Sequence, residues 1–178
     1  LNKSTDRDRS WSVEMAIPHK AVTRNFTNPL QAGNTWRLNF SRVQWLKKGG
    51  PEENWVWTPT GRIDMHMPNQ WGFLQFSDKK VGEGSDAFVC PYNMEAYKLL
   101  WAMFYEQLDR MGKCGSYICS LDGMGLTDAD FATLPAGSNV EVEATPHQFR
   151  VTVKVGRTGE KYVVDQNGKF VVEKAAKE

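Results

Sequence analysis

Trp11-Ser-Val-Glu-Met-Ala-Ile17 decides how the first half of the chain reads, because it alternates apolar and small or polar residues without a break. Trp11, Val13, Met15 and Ile17 share one face and Ser12, Glu14 and Ala16 the other, the period-2 signature of a half-buried strand. Pro18 ends it. Thr35 to Leu46 repeats the pattern, with Trp36, Leu38 and Phe40 opposite Arg37, Asn39 and Ser41. Asn54-Trp-Val-Trp-Thr58, the stretch from Arg62 to Met67 and Trp71-Gly-Phe-Leu-Gln-Phe76 supply three further short strands. Turn chemistry separates them: Asn28-Pro29, Ala32-Gly33-Asn34, Lys47-Lys48-Gly49-Gly50-Pro51 and Pro59. Residues 1–10 read as a polar loop and His19 to Phe26 as a helical turn. Short strands between Gly, Pro and Asn turns predict an antiparallel β-sandwich.

Beyond Phe76 the pattern changes. Residues 78–86 are charged and glycine-containing, which predicts a linker. Asn93 then reads as an N-cap for a helix from Met94 to about Met111, stopped by Gly112. Leu99, Leu100, Met103, Phe104 and Leu108 recur at helical spacing. Thr127-Asp-Ala-Asp130 predicts a capping box for a short second helix. Val140 to Val172 reads as three alternating strands, with Asn167-Gly168 in the last hairpin turn. The fold class is thus mainly β: a partial antiparallel sandwich over 1–78, a linker over 79–86, and a small α+β module over 87–178 with one long helix on an antiparallel sheet.

Composition narrows the function. The 178 residues carry a net charge of +1, with 24% charged residues. Neither a nucleic acid nor an acidic polymer is indicated as partner. No run of 18 apolar residues marks a transmembrane segment. Seven tryptophans are present, and six of them lie between Trp11 and Trp71. Three cysteines, Cys90, Cys114 and Cys119, cannot all pair within one chain, and no Cys/His spacing matches a zinc site. A helix between Cys90 and Cys114 holds that pair roughly 30 Å apart, so Cys114 with Cys119 is the pairing left open.

Four segments in order resemble the carbohydrate-binding module family 9-like domains of Bacteroidetes type. They are Trp11-Ser-Val-Glu-Met-Ala-Ile-Pro18; Gly33-Asn-Thr-Trp-Arg-Leu-Asn-Phe-Ser-Arg42 with Val43-Gln-Trp45; Asn54-Trp-Val-Trp-Thr-Pro59; and Met65-His-Met-Pro-Asn-Gln-Trp-Gly-Phe73. Together they cover about residues 11–77 and match the later strands of that family's sandwich. The resemblance implies non-catalytic binding of an oligosaccharide or polysaccharide within a glycan-degradation system. It also implies a secreted, periplasmic or cell-envelope location and an upstream part of the same gene product. The second half is similar to an α+β tail that follows this domain in some relatives, with a faint pilin-like look.

Sugar binding asks for flat aromatic plates and planar polar groups. Trp55 and Trp57 share a face, as core or as platform. The resemblance places a stacking aromatic and an amide in this segment, which selects Trp57 and Asn54. Arg42 follows Phe40 on the apolar face; it either pairs with Glu14 or offers its forked donors to vicinal hydroxyls at the sandwich mouth. Trp45 reads as a partly exposed strand-end residue and completes the candidate set. Trp11 and Trp36 read as core, Trp71 as a structural plug, and Arg37 and Asn39 as partners of Glu14.

No cofactor is expected. Structural Ca²⁺ occurs in the family, but no dense Asp/Asn loop marks a site here, and Met65-His66-Met67 is a weak haem motif. Glycoside hydrolysis needs two opposed carboxyls, and the spacing of Glu14, Glu52, Glu53 and Asp64 singles out no pair. The alternatives are an accessory piece of a secreted glycoside hydrolase, a haem-binding sandwich and an envelope assembly module.

Overall fold

A computed structural model describes Thr5 and residues 10–23 and 30–175. Most of the polar opening loop, the second half of the expected 19–26 turn and the Asn28-Pro29 turn lie outside the described residues. The chain divides into two units, Leu1–Phe88 and Val89–Glu178. The described residues form eight antiparallel strands and one long helix, a mixed α and β chain whose first part is β-rich.

The first unit begins with a helical turn, α1 (His19–Val22), followed by β1 (Thr35–Leu38), β2 (Ser41–Trp45), β3 (Glu52–Val56) and β4 (Gly72–Gln75). The strand expected over 35–46 is two strands, and Asn39 is the reason. Its side chain accepts from the amides of Phe40 and Thr58 and donates to the Thr58 carbonyl at 2.8 Å. A side chain that takes over backbone partners releases the strand from one ladder and lets it enter another. β1 accordingly pairs with β4, and β2 pairs with β3, giving two two-stranded antiparallel ribbons.

Two other expected strands do not form. Among the described residues Trp11–Ile17 joins no ladder, and Arg62–Met67 is a series of bends leading into a single 3-10 turn, Pro68–Gln70. With no paired neighbour among the described residues, Trp11, Val13, Met15 and Ile17 stay exposed; the reading of Trp11 as core is overturned. Trp36 is half-buried, edge-on to Phe76 at 5.1 Å. Trp71 is held by its indole N–H, which donates to the Met65 carbonyl at 3.0 Å. Among the described residues of this unit, Met67 is the one fully buried apolar side chain.

The second unit is built on α2 (Met94–Cys114). Asn93 caps it as expected, its side chain accepting from the Ala96 amide at 2.9 Å. The helix passes through Gly112 and stops at Gly115, whose φ of +73° and N–H bond to the Met111 carbonyl make the left-handed cap. Ala96, Leu99, Leu100, Met103, Phe104 and Gln107 form its buried face; Leu108, expected there, points out, and Trp101 is buried instead. Gln107 is buried because it stands in for a backbone: it donates to the Ile118 carbonyl and accepts from the Ile118 amide at 3.0 Å.

A short helix, α3 (Asp128–Ala132), starts from the expected Thr127–Asp130 capping box. A four-stranded meander follows: β5 (Asn139–Ala144), β6 (Phe149–Lys154), β7 (Lys161–Asp165) and β8 (Phe170–Glu173). Four strands stand where three were expected. Asn167-Gly168 makes the last turn, with Gly168 at φ +73°. One sheet face packs on α2 through Phe149, Val151, Val153, Tyr162 and Val164. Burial of the Tyr162 ring pushes its hydroxyl pKa up, although the Asn93 amide donates to its oxygen at 2.7 Å.

Candidate functional site

The β2–β3 ribbon sets the geometry of the candidate residues. Its register pairs Arg42 with Trp55, Val43 with Asn54, Gln44 with Glu53 and Trp45 with Glu52. Directly opposed residues share a face and successive residues alternate. One face therefore carries Arg42, Gln44, Glu53 and Trp55. The other carries Val43, Trp45, Glu52 and Asn54.

The Trp57 amide donates to the Phe40 carbonyl at 2.9 Å, which continues the ladder by one pair. Phe40 and Trp57 thus join the face of Arg42, their rings 6.0 Å apart. Trp57 also lies on the backbone of β4: a Cβ added to Gly72 would sit 2.6 Å from the indole Cζ3. Only a glycine admits the ring there.

Arg42 occupies the middle of this face. Its guanidinium carbon stands 5.3 Å from the centroid of Trp55 and 5.3 Å from that of Trp11, so two indoles flank one cation. Such a stack holds the side chain by cation–π attraction. No described carboxylate forms an ion pair with Arg42, Glu14 included. Arg37 and Asn39 do not pair with Glu14 either. Arg37 donates to the Trp71 carbonyl at 2.6 Å and lies 3.6 Å over the Phe73 ring, and Asn39 serves the strand switch.

Phe40, Trp55, Trp57 and Trp11 keep 52%, 54%, 57% and 62% of their surface exposed. Aromatic side chains at that exposure form an apolar patch, which marks an interaction site more often than scattered residues do. Of the five residues singled out in the sequence, Arg42, Trp55 and Trp57 are brought together.

Asn54 and Trp45 are not. Asn54 sits on the opposite face, where its amide donates to the Glu52 carboxylate at 2.9 Å. It lines an open groove of about 640 Å³ with Glu52, Val56, Thr60, Asp64 and His66. The grouping of Asn54 with Trp57 and Arg42 is corrected by strand alternation, which puts residue 54 opposite residues 55 and 57. Trp45 ends β2 on the Asn54 side, exposed as expected. Trp11 and Phe40 join this face beyond the five residues singled out; the signal for Phe40 was its position on the same alternating face as Arg42, and alternation held none for Trp11.

His66 is exposed while Met67 is buried, so the two sulfurs and the imidazole of 65–67 do not present one face. Among the described residues no group of three or more His, Cys, Asp or Glu side chains is placed to hold a metal ion. Cys90, Cys114 and Cys119 are free and exposed, and among the described residues no helix is long and apolar enough to cross a membrane. Comparison of the chain with protein-family models, with curated proteins and with solved structures returns no match.

Proposed function

We propose that the chain binds carbohydrate without modifying it, and that an oligosaccharide or polysaccharide rests on the aromatic face of the β2–β3 ribbon. The observation that carries this reading is the Trp11–Arg42–Trp55 stack, continued by Trp57 and Phe40 and left open to solvent. Exposed indoles offer flat apolar plates to the C–H faces of sugar rings, and a guanidinium between them collects hydroxyls with fixed donors. Alternation puts a single carboxylate of β2 and β3, Glu53, on that face, where glycoside hydrolysis would need two across a cleft. A role in glycan degradation, at the cell envelope or outside the cell, goes with this reading.

Titration of the intact chain with a panel of soluble oligosaccharides, followed by tryptophan fluorescence and calorimetry, tests it. Stacking plus a few hydrogen bonds, each worth a net of about 0.5–1.5 kcal/mol, gives a dissociation constant on the order of micromolar to millimolar. Trp55→Ala and Trp57→Ala are each expected to weaken binding at least tenfold with an unchanged far-ultraviolet spectrum. Binding that survives both replacements would move the site elsewhere, and no binding across the panel would remove the proposal.

A further inference from the structure

We infer that the aromatic face selects acidic sugars, with Arg42 receiving the carboxylate of a uronic acid residue whose ring stacks on Trp55. This rests on the carbohydrate-binding reading above and adds the ligand class.

The argument starts from what is left free on Arg42. A guanidinium is always charged and has five N–H donors in one plane. Here the indoles of Trp11 and Trp55 each lie 5.3 Å from its central carbon. Hydrogen bonds to a ligand leave through its in-plane N–H edge. Among the described residues no carboxylate forms an ion pair with Arg42. A carboxylate is planar and accepts two parallel N–H bonds from the fork. Such charge-assisted pairs are roughly twice as strong as neutral ones. A neutral diol fits the same fork without the charge, so the signature is a preference rather than an exclusive specificity.

The neighbours give the acid a direction. Glu53 lies on the same face, one pair along and opposite Gln44, and it repels an anion at that end. Phe40 and Trp57 lie one pair along at the other end and bear no charge. The acidic group is therefore expected between Arg42 and the Phe40–Trp57 pair, leaving the Glu53 carboxylate to accept from hydroxyls of a neighbouring ring.

The test uses the whole chain, a uronic acid trisaccharide and the methyl ester of that trisaccharide. The ester keeps the ring and removes the charge. The intact chain is expected to bind the acid about tenfold more tightly than the ester, with the ratio shrinking as salt is raised. Arg42→Gln should bring the ratio to near one while ester binding persists, and Arg42→Lys, which keeps charge but loses the fork, should fall between. Glu53→Gln should raise the ratio by removing the repulsion. Equal binding of acid and ester by the intact chain overturns the inference and leaves carbohydrate binding standing. Binding of neither, together with silence across the neutral panel, overturns the underlying reading instead. If Arg42→Gln loses its fold, Glu53→Gln decides: an unchanged or lowered ratio counts against the inference.

Discussion

Trp11–Ile17 in the first unit and Phe149–Val155 in the second are written in the same pattern, and they end in opposite environments. Trp11, Val13, Met15 and Ile17 are exposed at 58–63%, whereas Phe149, Val151, Val153 and Val155 are exposed at 0–3%. The second stretch has β5 and β7 hydrogen-bonded on either side and α2 across its face. The first has no ladder partner among the described residues. Alternation is a statement about which side chains share a face, and burial requires a second layer to cover that face. Tryptophan content does not supply it: six of the seven tryptophans belong to the first unit, yet the continuous core belongs to the second.

The largest expected effect tests whether that contrast in burial is a contrast in stability. Leu100 is fully buried beneath the meander, and Leu100→Ala should cost about 2–5 kcal/mol through lost contacts and a cavity. Trp55→Ala, on an open face, should change stability by no more than about 0.5 kcal/mol. Denaturant unfolding, with hydrogen exchange to localise the loss to residues 89–178 or 1–88, measures both. A cost for Trp55→Ala equal to that of Leu100→Ala would break the comparison, because it would mean that something covers the aromatic face in solution.

A pair of glycines sharpens it at intermediate magnitude. A Cβ on Gly156 would collide with backbone, the Ala136 carbonyl oxygen and Gly137 carbonyl carbon, in a turn tied by the Gly156 amide to Ser138 Oγ and the Ser138 amide to the Pro135 carbonyl. Gly156→Ala is expected to cost about 1–3 kcal/mol, as overpacking does. A Cβ on Gly72 would meet side chains, Trp57 Cζ3 at 2.6 Å and Thr58 Oγ1 at 2.8 Å. Trp57 has solvent on its other side and can tilt away. Gly72→Ala should therefore show itself in glycan affinity more than in the unfolding midpoint. A larger stability loss at Gly72 than at Gly156 would assign Trp57 to the core of its unit.

Where a local signal was complete, the sequence was legible. The Asn93 and Thr127 caps and the Asn167-Gly168 turn each satisfy their own backbone groups within a few residues, and each forms where expected. The helix runs through Gly112, because glycine permits a left-handed cap without imposing one; the stop falls at Gly115. Long-range facts were harder. The break at Asn39 depends on Thr58, nineteen residues away. The exposure of Trp11 depends on strands that do not pair with it. The division of the candidate site was nearer to hand, since alternation along Asn54-Trp-Val-Trp57 already sets the amide opposite both indoles.

The smallest expected effect concerns the stretch that was read as a linker. Residues 77–86 close on themselves: Ser77 Oγ donates to Asp86 at 2.5 Å, Lys79 pairs with Asp86 at 3.0 Å, and the Lys79 ammonium also donates to the Ser85 carbonyl at 3.1 Å. The hydrogen bond from Ser77, then Lys79, holds the Asp86 carboxyl below the usual carboxylate range. A depressed folded-state pKa adds to closure above the unfolded value of about 4 and is lost as pH falls through the folded value. At neutral pH the loop should resist cleavage after Lys79 and Lys80, and Asp86→Asn should speed that cleavage without moving the unfolding midpoint of either unit. Hydrogen exchange across 78–86, corrected for its intrinsic pH dependence, should lose protection only below about pH 4. A loss centred above pH 5 would assign the closure to another group, and no change on Asp86→Asn would return the segment to the open linker that its composition predicts. The effect is small because the pair is exposed and screened by solvent, which is also why glycine and charge alone gave no sign of it.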